Sequence, residues 1–151
     1  ATWGRIASDL RPPKLAGMLR VDLKGRLAHH HPDWSDAGLE ATLANFETLP
    51  DGTIRPWLTL DRHLHILRAL WEQRPPQLYP HVTEPVLVVM AGPDDNPEGA
   101  IKQQQVAAAE AGLPQSRVHW LPHTDHDIHI QRPRTLANLM LDAANNGFWS
   151  L

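Results

Sequence analysis

Apolar residues along this chain fall into two textures, and the change comes near residue 80. Before it, they recur at steps of three and four, the signature of amphipathic helices. Leu15, Met18, Leu19, Leu23 and Leu27 predict a helix over about 15–27, interrupted by Gly17 and Gly25 and closed by Pro32-Asp33. A second helix is expected from Asp36 to about Glu47. Ser35 is its cap, Asp36 sits at the positive end, and Leu39, Leu43 and Phe46 face inward. Pro50-Asp51-Gly52 reads as a turn, with proline setting φ and glycine tolerating a positive one. A third helix spans roughly Leu60 to Gln73. Leu60, Leu64, Leu67 and Trp71 form one face, and Arg74-Pro75-Pro76 ends it.

From Pro85 onward the order is strand, helix, strand, helix. Val86 to Ala91 is continuously apolar and rich in branched residues, as a parallel strand covered on both faces would be. A helix from about Glu98 to Ala111 stops at Gly112 and Pro114. A strand near Val118 to Leu121 precedes a last helix, Arg134 to about Ala144, with Leu136, Leu139, Met140 and Ala143 inward and Gly147 at its end. Such a β-α-β-α run belongs in a layered sheet flanked by helices. Two strands alone are only marginally stable, so more strands are expected from elsewhere.

Composition narrows the field. A length of 151 residues suits one domain or a piece of a larger one. The net charge of -3 argues against a nucleic-acid partner, which usually meets a basic stripe. The absence of cysteine removes disulfides, thiolate metal sites and cysteine nucleophiles together. The longest apolar run, Val86 to Ala91, is far short of the roughly 20 residues a membrane span needs, so no membrane partner is expected. No charged-then-apolar leader opens the chain, which sets a cytoplasmic expectation.

The candidate chemistry lies where strands end. Val86 to Ala91 runs into Gly92-Pro93-Asp94-Asp95, and the strand ending at Leu121 runs into a loop with His123, His126 and His129. An acid and a histidine delivered this way are two members of a hydrolytic triad. The third is missing: no Gly-x-Ser-x-Gly occurs, so the chain holds no nucleophile elbow of that kind.

These residues resemble the C-terminal portion of an α/β-hydrolase. Pro85, the apolar run and Gly-x-x-Asp match the family's penultimate core strand, and His126 followed by Asp127 to Arg132 and then Pro133 matches its last strand, histidine loop and final helix. The resemblance implies an α/β fold: the C-terminal part of the hydrolase sheet (residues 81–151) preceded by a mostly helical cap or lid segment (residues 1–80). It implies Asp95 as the acid and His126 as the proton carrier of a Ser-Asp-His triad for esterase-like acyl hydrolysis. The serine and oxyanion donors would come from an N-terminal hydrolase fragment on a separate polypeptide, acting with this chain on a small-molecule acyl substrate. No cofactor is implied. The same fold with a carboxylate nucleophile would give a haloalkane dehalogenase or epoxide hydrolase. A non-catalytic binding module keeping part of the fold is the rival from another class.

Residue type alone does not single out the pair. Asp94 competes with Asp95, and Gly-Pro-Asp-Asp is also plain turn chemistry; the Gly-x-x-Asp offset selects Asp95, leaving Asp94 as a solvated neighbour or helix cap. His123 and His129 compete with His126, and the offset to Pro133 selects His126. His119, alternating with Val118 and Trp120, reads as packed. Metal sites are not expected. His29-His30-His31 and His63 with His65 lack the i, i+4 spacing that lets two ligands on a helix converge, and Asp125-His126-Asp127 with His129 is absorbed by the hydrolase reading. Six tryptophans stand against one tyrosine and two phenylalanines. Trp71 completes a helix face, whereas Trp34 and Trp57, beside turn residues, are candidates to line an apolar substrate pocket.

Overall fold

The structure, a computed structural model, describes residues 2–149. It divides into two compact units, Ala1–Gln73 and Arg74–Leu151.

The first unit is built from α1 (Trp3–Asp9), α2 (Arg20–His30), α3 (Asp36–Leu43), a small antiparallel hairpin of β1 (Phe46–Thr48) and β2 (Ile54–Pro56), and α4 (Leu60–Glu72). Its core is the cluster of Leu23, Leu43 and Ile54, with Leu15, Met18, Leu27 and Phe46 packed against it. The expected helix over 15–27 begins only at Arg20. Residues 17–19 instead pair with the start of β2 and the residue before it: Gly17 N–H donates to the Ile54 carbonyl (3.0 Å), Ile54 N–H donates to the Met18 carbonyl (2.8 Å), and Leu19 bridges Thr53. Leu15 and Met18 still reach the core, so the apolar spacing reported burial but not backbone shape. Ser35 caps α3 as expected, its Oγ accepting from Gly38 N–H at 3.1 Å. That helix stops at Leu43, and Phe46 and Glu47 form β1. The turn at Pro50-Asp51-Gly52 wins here, because Asp51 Oδ1 accepts from Thr53 N–H (2.9 Å) and Thr53 Oγ1 (2.7 Å) and folds the flanking residues into a hairpin.

Charge pairs clamp α2 to α3. Glu40 accepts from Arg20 and from Lys24 Nζ (2.8 Å), and Lys24 also meets Asp36 at 2.5 Å. The hydrogen bonds from Arg20 and Lys24 pull the Glu40 carboxyl down to about 2, and those to Asp36 and Glu40 raise the Lys24 ammonium. The face of α4 departs from expectation: Leu64 and Leu67 are half-buried, while Leu60 and Trp71 are exposed. The helix lies against α1, with the Trp3 and Trp71 rings 5.9 Å apart and tilted by 43°.

In the second unit, a short helix α5 (Pro75–Leu78) and a 3-10 turn (Tyr79–His81) lead into β3 (Val86–Ala91), α6 (Pro97–Gly112), β4 (Ser116–Leu121), α7 (Ile128–Gln131) and α8 (Pro133–Asn145). β3 and β4 are parallel, in register from Val86↔Ser116 to Ala91↔Leu121. Both strands and the two long helices fall where the sequence predicts them. Coverage of β3 differs: Val86 to Met90 are only half-buried, because β4 is its one strand neighbour among the described residues. β4 alternates, with His119 exposed rather than packed. On α8 the inward stripe is Leu136, Leu139 and Ala143, and Met140, one residue further around, is exposed. Arg117 fastens β4 to the end of α8, bonding Asn146 Oδ1 at 3.0 Å and stacking over the buried Phe148 ring at 4.3 Å.

Candidate active site

β3 and β4 finish side by side, and a bond from Gly92 N–H to the Leu121 carbonyl (3.0 Å) carries their pairing one step past the last strand residue. The two chains then diverge into the loops that hold the candidate acid and histidine. Clefts at the carboxyl ends of parallel strands are the usual ligand sites of open α/β sheets.

The acid loop is tightly bounded. Gly92 turns at φ +101, a conformation that side chains disfavour, and redirects the chain out of β3. Asn96 caps α6, its Oδ1 accepting from Gly99 N–H at 2.7 Å, with Pro97 in the first turn. Gly99 lets that turn press on the loop: a Cβ there would lie 1.9 Å from the Asp94 carbonyl oxygen. Lys102, one turn further along, reaches back with Nζ 3.2 Å from the Ala91 carbonyl and 3.4 Å from Asp94 Oδ2.

The histidine loop is closed by its own sequence. Gln131 Oε1 accepts from Asp125 N–H (2.6 Å), Arg132 donates to the His123 carbonyl (3.2 Å), and the buried Thr124 hydroxyl donates to the Pro122 carbonyl (3.1 Å). His123 takes φ +52, a left-handed conformation that histidine adopts more readily than most side chains. Ile128 N–H, bonded to the His126 carbonyl at 3.0 Å, starts α7 directly after the candidate residue.

His126 and Asp94 line one cavity of about 390 Å³, together with Lys102, Thr124, Asp125 and the end of β3. Asp95 lies beside it, exposed and outside the lining, and no hydrogen bond joins it to His126 among the described residues. Asp94 is exposed, as expected of a solvated neighbour, and also pairs with Lys102, while Asn96 takes the capping role. His129 is exposed on α7, and His123 contributes its carbonyl to the loop. The sequence reading did not pick out Lys102, Gly99 or Gln131. A glycine in the first turn of a helix, where it costs stability, was the one available signal.

The two candidate tryptophans have different surroundings within the first unit. Trp34 is buried and stacked on His31, with centroids 4.0 Å apart and planes 15° from parallel, and its Nε1 has no hydrogen-bond partner. Trp57 is 61% exposed and lines a cavity of about 680 Å³. Among the described residues, no cluster of three or more His, Asp or Glu side chains could hold a metal ion, and no helix is long and apolar enough to cross a membrane.

These features belong to a fold with known relatives. The alpha/beta hydrolase family model matches residues 4–139, and the chain belongs to that family. Its fold is similar to the crystal structure of E-2-(acetamidomethylene)succinate hydrolase, with a TM-score of 0.69 at 16% identity over 95% of this chain. The chain spans 52% of the length of that structure. No curated protein matches it.

Proposed function

We propose that this chain is the acid- and histidine-bearing portion of a serine hydrolase that transfers an acyl group from an ester or similar compound to water. The observation that carries the reading is the placement of Gly92-Pro93-Asp94-Asp95 and the His126 loop at adjoining ends of two in-register parallel strands, in a chain of the hydrolase family. His126 would take the proton of a serine hydroxyl and return it to the leaving alkoxide, acting as base and then as acid. Asp95 would hold the imidazole tautomer and stabilise the imidazolium. Between the two carboxylates, Asp94 already faces the Lys102 ammonium, whereas Asp95 has no charged partner among the described residues. A carboxylate already paired with a lysine has less of its field left for an imidazolium, which supports Asp95.

The serine, the oxyanion donors and the neighbouring strands would be supplied by an N-terminal hydrolase piece outside these 151 residues. The half-buried faces of β3 fit that arrangement, since a strand of this composition is normally covered on both sides. The first unit would serve as the cap. The solved relative is named for hydrolysis of an acetamido compound, itself an acyl derivative, which agrees with the reaction class.

The test is to combine the chain with its nucleophile-bearing counterpart and follow release of p-nitrophenol from p-nitrophenyl acetate. Asp95→Asn is expected to lower kcat by roughly 10⁴-fold, and His126→Ala by at least as much. Full turnover in the His126→Ala complex would sink the assignment.

A further inference from the structure

The cavity of about 680 Å³ in the first unit has the size of a small-molecule site, and its make-up says what would fill it. Its walls are largely apolar, with Phe46, Pro56, Trp57 and Leu58 contributing. Trp57, one of the lining residues, is 61% exposed overall, a large aromatic area left in water. The charged groups lining it are all cationic: Arg11, Lys14 and Arg55, with no carboxylate among them. Arg55 is already neutralised, its Nε 2.9 Å from Glu47 Oε2. Arg11 and Lys14 have no ion pair among the described residues. His63 is also in the lining, with its Nε2 shielded from solvent.

We propose that this cavity binds a small organic anion with an apolar body, a carboxylate with an alkyl or aryl tail. The tail would lie against Trp57 and Phe46 and displace water from them. The carboxylate would sit between Arg11 and Lys14. An uncharged apolar ligand would leave two cations unmet, and a bare anion would leave the aromatic wall wet, so the lining discriminates against both. The proposal does not depend on Asp95, His126 or a nucleophile, and it can be tested on this chain alone.

Isothermal titration of the full chain with octanoate, octanol and acetate separates the contributions. Octanoate is expected to bind saturably in the millimolar range or tighter, and both octanol and acetate at least about fivefold more weakly. Arg11→Gln with Lys14→Gln is expected to weaken octanoate roughly tenfold and leave octanol unchanged. Trp57→Ala should weaken both octanoate and octanol, and circular dichroism of each variant confirms that it is folded. Equal binding of octanol and octanoate by the unmodified chain, or no saturable octanoate binding at millimolar concentration, would overturn the proposal. Neither comparison uses a variant, so a misfolded mutant cannot obscure the outcome.

Discussion

Lys102 Nζ lies 3.4 Å from Asp94 Oδ2 while also touching the Ala91 carbonyl at 3.2 Å, so one side chain of α6 holds both the end of β3 and the loop beyond it. The ammonium is partly shielded and the carboxylate more than half exposed, which limits the strength of the pair. Lys102→Met is expected to cost about 1 kcal/mol, mostly through the lost carbonyl bond, and Asp94→Asn less than that. Urea denaturation of the two single variants and the double variant gives the coupling, expected below about 1 kcal/mol.

The two aspartates should separate by function. Under the proposed function, Asp94→Asn in the complex with the nucleophile-bearing piece is expected to change kcat by less than about tenfold, against a loss of roughly 10⁴-fold for Asp95→Asn. Steady-state kinetics with p-nitrophenyl acetate decides between them. A reversed order would move the acid one residue upstream.

Gly99 and Gly25 are both helical glycines, yet they should respond oppositely to alanine. A Cβ at Gly99 meets the Asp94 carbonyl oxygen at 1.9 Å, backbone that can yield only by shifting the acid loop, so Gly99→Ala should destabilise by about 1–3 kcal/mol. Gly25 has nothing within 4 Å of that position, so Gly25→Ala should stabilise by about 0.5–1 kcal/mol through helix propensity. Denaturation midpoints of the two variants make the comparison.

Acid should loosen the first unit through Glu40. Its carboxyl titrates at about 2 in the fold against an ordinary 4.5, so between those values the unfolded chain binds the proton and the folded chain does not. The stabilisation is therefore complete above about pH 4.5 and is lost as pH falls toward 2. Glu40→Gln should flatten that part of the stability–pH curve, followed by the ellipticity of the helices.

The small core of the first unit offers a plainer check. Ile54 is 1% exposed and packs with Leu23 and Leu43, so Ile54→Ala should cost about 2–5 kcal/mol by chemical denaturation.

What could be read in advance follows from which forces were local. Val86 to Ala91 announced itself because an unbroken apolar run between a proline and a glycine has few other uses, and α6 and α8 were bounded by prolines and glycines acting on their own backbone. The hairpin of Phe46–Thr48 and Ile54–Pro56 was missed because its strands are three residues each, too short for an alternating pattern to emerge. The bridge of Leu19 to Thr53 depends on partners far apart in sequence, so helical spacing at Leu15 to Leu19 pointed to the wrong backbone while naming the correct core residues. At the site, strand ends and offsets located the acid and histidine loops. Side-chain partnership was not legible: nothing in the spacing of Asp94 and Lys102 shows that a glycine at 99 lets the helix lean on the loop until those charges meet.

The Gly92–Leu121 rung also has a mechanical meaning. A single amide–carbonyl link at the mouth of the strand pair ties together the roots of the two loops, so both leave the sheet from one shared anchor point.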